Sequence, residues 1–156
     1  MPDHIRDAHQ ENQANLLIIS SDSIARDLLE VILKQQGFKV DPARNFTQGL
    51  EVIKKNEYDA VFIDTRWHGA APGRLMLDIS HHSSQNHPLV IFIVEDNDSS
   101  SMRKIRQAGA DTIIRYPFGH HDIISVMEII ERKSGTTALS KDNADFHLTA
   151  AGPGNA

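Results

Sequence analysis

An α/β fold with a single parallel sheet is predicted by three features of the chain. Short apolar runs alternate with segments of helical period from about residue 15 to residue 133. Two of the runs, Leu16-Leu17-Ile18-Ile19 and Pro88 to Val94, are continuously apolar, as strands covered on both faces are. No internal repeat or heptad pattern competes with that alternation. Five such strand–helix units imply a doubly wound sheet with helices on both faces.

Each element follows from local signals. Asn15 to Ser20 is the first strand. Ser23 is placed to cap the first helix, whose Ile24, Leu28, Val31 and Ile32 follow at helical spacing, with Gly37 ending the segment. Phe38 to Asp41 is the second strand, and Asn45 to Lys55 the second helix, with Phe46, Leu50 and Ile53 inward. Tyr58 to Asp64 is the third strand. Thr65 to Gly73 forms a loop, and Arg74 to His82 a third helix using Leu75, Leu77 or Ile79. Pro88 to Val94 is the fourth strand. Asp98 or Ser99 caps a fourth helix with Met102 and Ile105 inward and Gly109 at its end. Asp111 to Arg115 is the fifth strand, and Phe118 to Lys133 the last helix, using Ile123, Ile124, Met127 and Ile130.

The 156 residues suit one domain with short tails: a flexible segment over 1–13, a folded unit over 14–133, and a flexible tail or linker over 134–156 rich in Gly, Thr, Ala, Ser and Asn. The chain is 40% hydrophobic and 24% charged, ordinary for a soluble globular protein. A net charge of −5 argues against nucleic acid or an anionic membrane as this domain's partner. The absence of cysteine excludes disulfides and thiolate metal sites. The polar N-terminus has no apolar signal core, and no run approaches a bilayer span, so a cytoplasmic protein is expected. No Walker or dinucleotide fingerprint and no nucleophile–histidine arrangement is present, so the chain is read as an interaction module and not as an enzyme.

Asp64 is the residue that draws chemistry to this pattern. It ends an apolar strand, and the carboxyl edge of an open parallel sheet is where sites form. From about Asn15 to Lys133 the chain resembles the receiver domain of two-component response regulators. The resemblance is carried by the first strand, the strand ending in Asp64, the run Pro88 to Val94, the Ala108-Gly109-Ala110-Asp111 motif and the following Tyr116-Pro117-Phe118. It implies a flavodoxin-like (βα)5 sheet with strand order 2-1-3-4-5. It also implies an aspartate, at the position of Asp64, that accepts a phosphoryl group from a histidine kinase.

Phosphoryl transfer needs an in-line nucleophile, Mg²⁺ to neutralise spreading charge and a cation on the far side. The family supplies these with an acidic pair, a Thr or Ser, and a Lys. Here the acidic pair falls on Ser20 and Ser21, which are neutral and poorer ligands. The hydroxyl position falls on Val94, or on Ile93 if the strand slips, and neither can hydrogen-bond a phosphoryl oxygen. The Lys position falls on Tyr116, neutral at pH 7, and the neighbouring Arg115 should point the opposite way. Ile113 stands where the family often carries an aromatic switch.

Several residues carry two readings. Asp22 either helps hold a weakly bound Mg²⁺ with Asp64 or starts the first helix. Glu95 either obstructs and charges the pocket or is a solvated loop acid. Arg66 either pairs with Asp64 in place of metal or faces solvent. Trp67 is either a docking anchor or pocket packing. The pairs His81-His82 and His120-His121, with His68 and His87, read as loop and helix-end residues before metal ligands, because adjacent histidines do not share a helix face.

Two functions follow. The first is an atypical receiver, or pseudo-receiver, with a degenerate phosphorylation site and no resident cofactor. It would act through a protein-binding face on the fourth helix, fifth strand and fifth helix, including Met102, Arg103, Arg106, Ile113 and Arg115. A histidine kinase and a second copy of the chain are its candidate partners. The alternative is a live response regulator phosphorylated on Asp64, which would require Mg²⁺.

Overall fold

The computed structural model describes residues 14–66, 71–83, 87–95 and 98–134. Strands β1 (Asn15–Ile19), β2 (Lys39–Ala43), β3 (Ala60–Asp64), β4 (Leu89–Glu95) and β5 (Thr112–Tyr116) alternate with helices α1 (Ser23–Gln35), α2 (Phe46–Lys55), α3 (Pro72–His82), α4 (Ser99–Gln107) and α5 (His120–Ser134). All strand pairings are parallel and the order is β2-β1-β3-β4-β5. This is the predicted doubly wound, flavodoxin-like sheet. The stretches 1–13 and 135–156, read from sequence as tails, lie outside the described residues, as do Trp67 and His68.

Alternation along the strands divides the core in two. Leu16, Ile18, Phe62 and Ile93 pack with the buried residues of α1 and α5 on one face. Leu17, Ile19, Ile63, Phe92 and Val94 pack with those of α2, α3 and α4 on the other. Both faces are covered, which is why β1, β3 and β4 read as unbroken apolar runs rather than alternating ones. The edge strand β2 tolerates Pro42 because one side of it has no ladder to complete.

Helix ends follow their caps. Asp22 rather than Ser23 caps α1, since its Oδ1 accepts from the amides of Ile24 and Ala25 at 3.0 and 3.2 Å. Gly37, at φ 97°, turns the chain out of α1 while Phe38 N–H reaches back to the Leu33 carbonyl. Asn45 caps α2 and Asp98 caps α4. Pro72 occupies the first position of α3, so that helix starts two residues before the predicted Arg74.

Of the four apolar positions of α1 singled out from sequence, only Ile32 packs against the core. Ala25, Leu29 and Leu33 are the buried residues of α1, whereas Ile24, Leu28 and Val31 are 75%, 47% and 52% exposed. Both sets obey helical spacing. The helix is apolar around most of its circumference, so period alone cannot choose the inward side. Leu77 of α3 and Ile124 of α5 are also exposed, and Leu75, Ile79, Ile123 and Val126 take the inward places. No helix among the described residues is long and apolar enough to cross a membrane.

Gly49 brings α2 close to β1. A Cβ built there would lie 2.8 Å from Cγ1 of the fully buried Ile19. Gly49→Ala gains about 1 kcal/mol of helix propensity but overpacks a core that has no room to yield, at roughly 1–3 kcal/mol. A net loss of stability is expected, read as a lower urea midpoint at unchanged m-value.

Candidate functional site

The carboxyl ends of β1, β3 and β5 bring Ser20, Asp64 and Tyr116 to one edge of the sheet. Asp64 sits on the central strand with no side-chain exposure. A charge in that position must be matched. Its Oδ2 accepts from the Ser20 hydroxyl at 2.7 Å and from Arg66 Nη2 at 2.7 Å. Its Oδ1 accepts from Arg66 Nε at 2.9 Å and from the Arg66 backbone amide at 3.1 Å. The guanidinium therefore grips both oxygens in a fork, and Ser20 and the backbone fill the remaining lone pairs.

The same Arg66 Nη2 reaches Oδ2 of Asp22 at 3.0 Å, so one cation bridges two carboxylates. Its flat face lies over the Tyr116 ring with 3.7 Å from Cζ to the centroid. Tyr116 is braced in turn by Phe118, edge to face at 5.7 Å between centroids. The Tyr116–Pro117 peptide is cis. Arg66 is left only 3% side-chain exposed. Its two paths to Asp64, through backbone and side chain, follow from the spacing of two residues across the turn that ends β3.

Ser20 is positioned by its neighbours. Its carbonyl accepts from Arg26 Nη1 at 2.8 Å, and its hydroxyl oxygen accepts from the Asp22 amide at 3.1 Å. The single hydroxyl proton points to Asp64 at 2.7 Å in preference to the Asp22 carbonyl at 3.4 Å. Thr65 ties the end of β3 to β4 through its hydroxyl and amide, both on the Ile93 carbonyl at 2.9 and 3.0 Å.

The charges shift one another. Burial works to lower the Arg66 pKa, but the hydrogen bonds and charges of Asp64 and then Asp22 more than reverse it, so the net shift is upward. Asp22 is held below its usual value, first by the Ala25 amide. Burial opposes this, and the hydrogen bond from Arg66, the Ile24 amide and the Arg66 charge reinforce it.

The remaining predicted site residues fall in different places. Ser21 is exposed and makes none of these hydrogen bonds. Val94 is buried in the α2–α4 side of the core, paired in register with Arg115, and Glu95 is exposed at the end of β4 opposite Tyr116. Arg103, Arg106 and Arg115 are exposed, and Ile113 is half-buried against the core. Met102 is a correction to the expected binding face: at 6% exposure it packs inward, because it shares the face of α4 that carries Ile105. The histidines assemble no metal site among the described residues.

Sequence reasoning treated Tyr116 as a lost ammonium and missed its role as the platform under Arg66. It also missed Arg26, which holds the Ser20 carbonyl. The available signal for the first was an arginine two residues after the aspartate, combined with an aromatic at the lysine position.

Residues 16–128 match the family model of the response regulator receiver domain, and the chain belongs to that family. Fold and family together define a signalling module of the two-component class. Among relatives, the transcriptional regulatory protein QseB of Escherichia coli O157:H7 is 28% identical over 81% of this chain and 57% of its own length. A Rickettsia typhi protein described as NtrX-like is 27% identical over 86% of this chain and 28% of its own length. The chain thus spans between about a quarter and about three fifths of these two relatives. A two-component response regulator from Clostridium difficile superposes with a TM-score of 0.68 at 21% identity, covering 78% of this chain and 98% of that one.

Two outcomes test the pair. Removing one partner of a buried ion pair strands the other, so Arg66→Ala should lower unfolding free energy by about 3–5 kcal/mol. The double change Asp64→Asn with Arg66→Met should recover much of that loss, as urea denaturation will measure. The second outcome concerns acid. The folded pKa of Asp22 lies below its unfolded value of 3.8, so its contribution is complete above that pH and is lost as pH falls through the lowered folded value. Asn at this position keeps the cap but not the titration. The stability gap between wild type and Asp22→Asn should therefore be full above about pH 5 and narrow as pH falls below 3.8 through the lowered folded value.

Proposed function

We propose that this receiver domain works as a protein-interaction module in which the phosphorylation site has become a structural ion pair. The observation that carries the reading is the occupancy of Asp64. All four hydrogen bonds described above fall on its two oxygens, so no lone pair is left to attack phosphorus. A nucleophile in that condition must first shed a buried guanidinium, which costs about 3–5 kcal/mol before any chemistry begins.

The donor set supports the same reading. Mg²⁺ asks for hard oxygen ligands and one or two free carboxylates. Ser20 spends its proton on Asp64, Asp22 is divided between helix amides and Arg66, and a permanent cation lies between the two acids. The residues at this edge therefore do not fit a magnesium ion, and no resident cofactor belongs to this proposal. Val94 offers no hydroxyl and Tyr116 no ammonium to a phosphoryl group.

The working surface in this reading is α4, β5 and α5, where Arg103, Arg106 and Arg115 stand exposed beside the buried Met102 and half-buried Ile113. A protein partner, a histidine kinase among the candidates, would bind there without phosphoryl transfer. A cytoplasmic setting belongs to the same proposal.

Amide NMR of the full chain, titrated first with Mg²⁺ and then with beryllofluoride, tests it. Flat spectra at millimolar concentration are expected. Saturable shifts centred on Asp64, Ser21 and Val94 would overturn the proposal in favour of a live phosphoacceptor.

A further inference from the structure

A carboxylate can serve two structures at once, and Asp22 does. Its Oδ1 accepts from the amides of Ile24 and Ala25 and so closes the first turn of α1. Its Oδ2 accepts from Arg66 Nη2 at 3.0 Å. The same nitrogen donates to Asp64, the Ser20 hydroxyl also donates to Asp64, and the Asp22 amide donates to the Ser20 hydroxyl oxygen. Ser20, Asp22, Arg66 and Asp64 are therefore joined in a closed ring of four hydrogen bonds. The cap of α1 is a member of that ring.

The ring has one further support. The guanidinium face rests on Tyr116, the last residue of β5, which Phe118 braces edge to face. In the sheet, β5 is separated from β1 by β4 and β3, whereas α1 directly follows β1. Arg66 spans that distance with one side chain. A planar fork holds its donors in fixed directions, so the plane cannot tilt without moving every bond it makes. If Tyr116 withdraws, the plane loses its floor and Nη2 leaves its line to Asp22.

We infer that Arg66 couples the end of β5 to the first turn of α1, so that a partner displacing Tyr116 loosens the Asp22 cap. The inference rests on the structural role proposed above for the Arg66–Asp64 pair and gives that pair a use. A displacement on one side of the domain is felt on another with no phosphoryl group on Asp64. The coupling is reciprocal, so loosening the start of α1 also loosens the seat on Tyr116. A second route competes with it, since Phe118 shares an apolar cluster with Ala25 and Leu29. The two routes differ in one respect: only the first passes through the Asp22 carboxylate.

Amide hydrogen exchange of the full chain, followed by NMR without Mg²⁺, tests the inference. Tyr116→Leu should speed exchange of the Ile24 and Ala25 amides about three- to tenfold through local opening of the cap. The Gln48 amide, capped by Asn45 on α2, should keep its wild-type rate. Tyr116→Phe preserves a ring face and should leave Ile24 and Ala25 within about twofold of wild type. In the Asp22→Asn background the cap remains but the charge facing Arg66 is gone, so adding Tyr116→Leu should leave both α1 amides unmoved. Phe118→Leu removes only the brace and should act in the same direction as Tyr116→Leu with smaller amplitude, which serves if the Tyr116 variant does not fold. Ile24 and Ala25 amides indifferent to both changes overturn the inference. An equal change at Gln48, or an effect that persists in the Asp22→Asn background, overturns it as well, the latter in favour of the apolar route. The α1 amides answer for the coupling, and the Mg²⁺ titration answers separately for the state of Asp64.

Discussion

The grip of Arg66 on Asp64 is the interaction around which this end of the molecule is built. A carboxylate at the end of the central strand, sealed from solvent, has to be neutralised by something within reach. Here that charge arrives covalently, on a side chain two residues further along. Once the guanidinium is in place, the rest follows from its remaining surfaces. The Nη2 edge still has capacity to hold Asp22, which is already anchored as the cap of α1. The flat face needs an apolar, electron-rich support, and Tyr116 supplies it. A loop, a helix start and the last strand are thus joined through one planar cation, a task for which an ammonium would be poorly shaped.

This arrangement explains why several positions that look like separate losses hang together. A metal ion would leave carboxylate oxygens free to exchange ligands, whereas a tethered guanidinium is always charged and always present. With Arg66 seated, additional acids at Ser20 and Ser21 would leave excess negative charge, and a lysine at Tyr116 would crowd a second cation against the first. Serine and tyrosine are compatible with the seated arginine where the acidic and basic residues are not. Ser20, Ser21 and Tyr116 read as one consistent electrostatic solution around Arg66, and the family membership of the chain sets the reference against which that solution stands out.

The two helical layers differ in how completely they use their apolar residues. On α2 the contact is close enough that glycine is needed against Ile19. On α1 the apolar surface exceeds what the sheet can cover. That excess lies on the side of the molecule covered by α1 and α5, and the exposed arginines of α4 and β5 belong to the opposite side of the sheet. The domain therefore carries surfaces of different character: one apolar, on α1, the other cationic on an otherwise acidic chain.

Element order, the parallel sheet and the position of Asp64 at its carboxyl edge were legible in the amino-acid sequence. Strands buried on both faces must be continuously apolar, and caps such as Asn45 and Asp98 act through immediate neighbours. The absence of the acidic pair, the hydroxyl and the lysine was equally legible, because each is a matter of residue type at a counted position. What the sequence could not decide was which face of α1 points inward, since Ile24-Leu28-Val31 and Ala25-Leu29-Leu33 satisfy the same period. Nor could it decide whether Arg66 turned toward Asp64 or toward water, or that Tyr116 would lie beneath it. Those outcomes depend on distances between β1, β3 and β5 that no local pattern contains, and only packing of the sheet brings Ser20, Asp64, Arg66 and Tyr116 together.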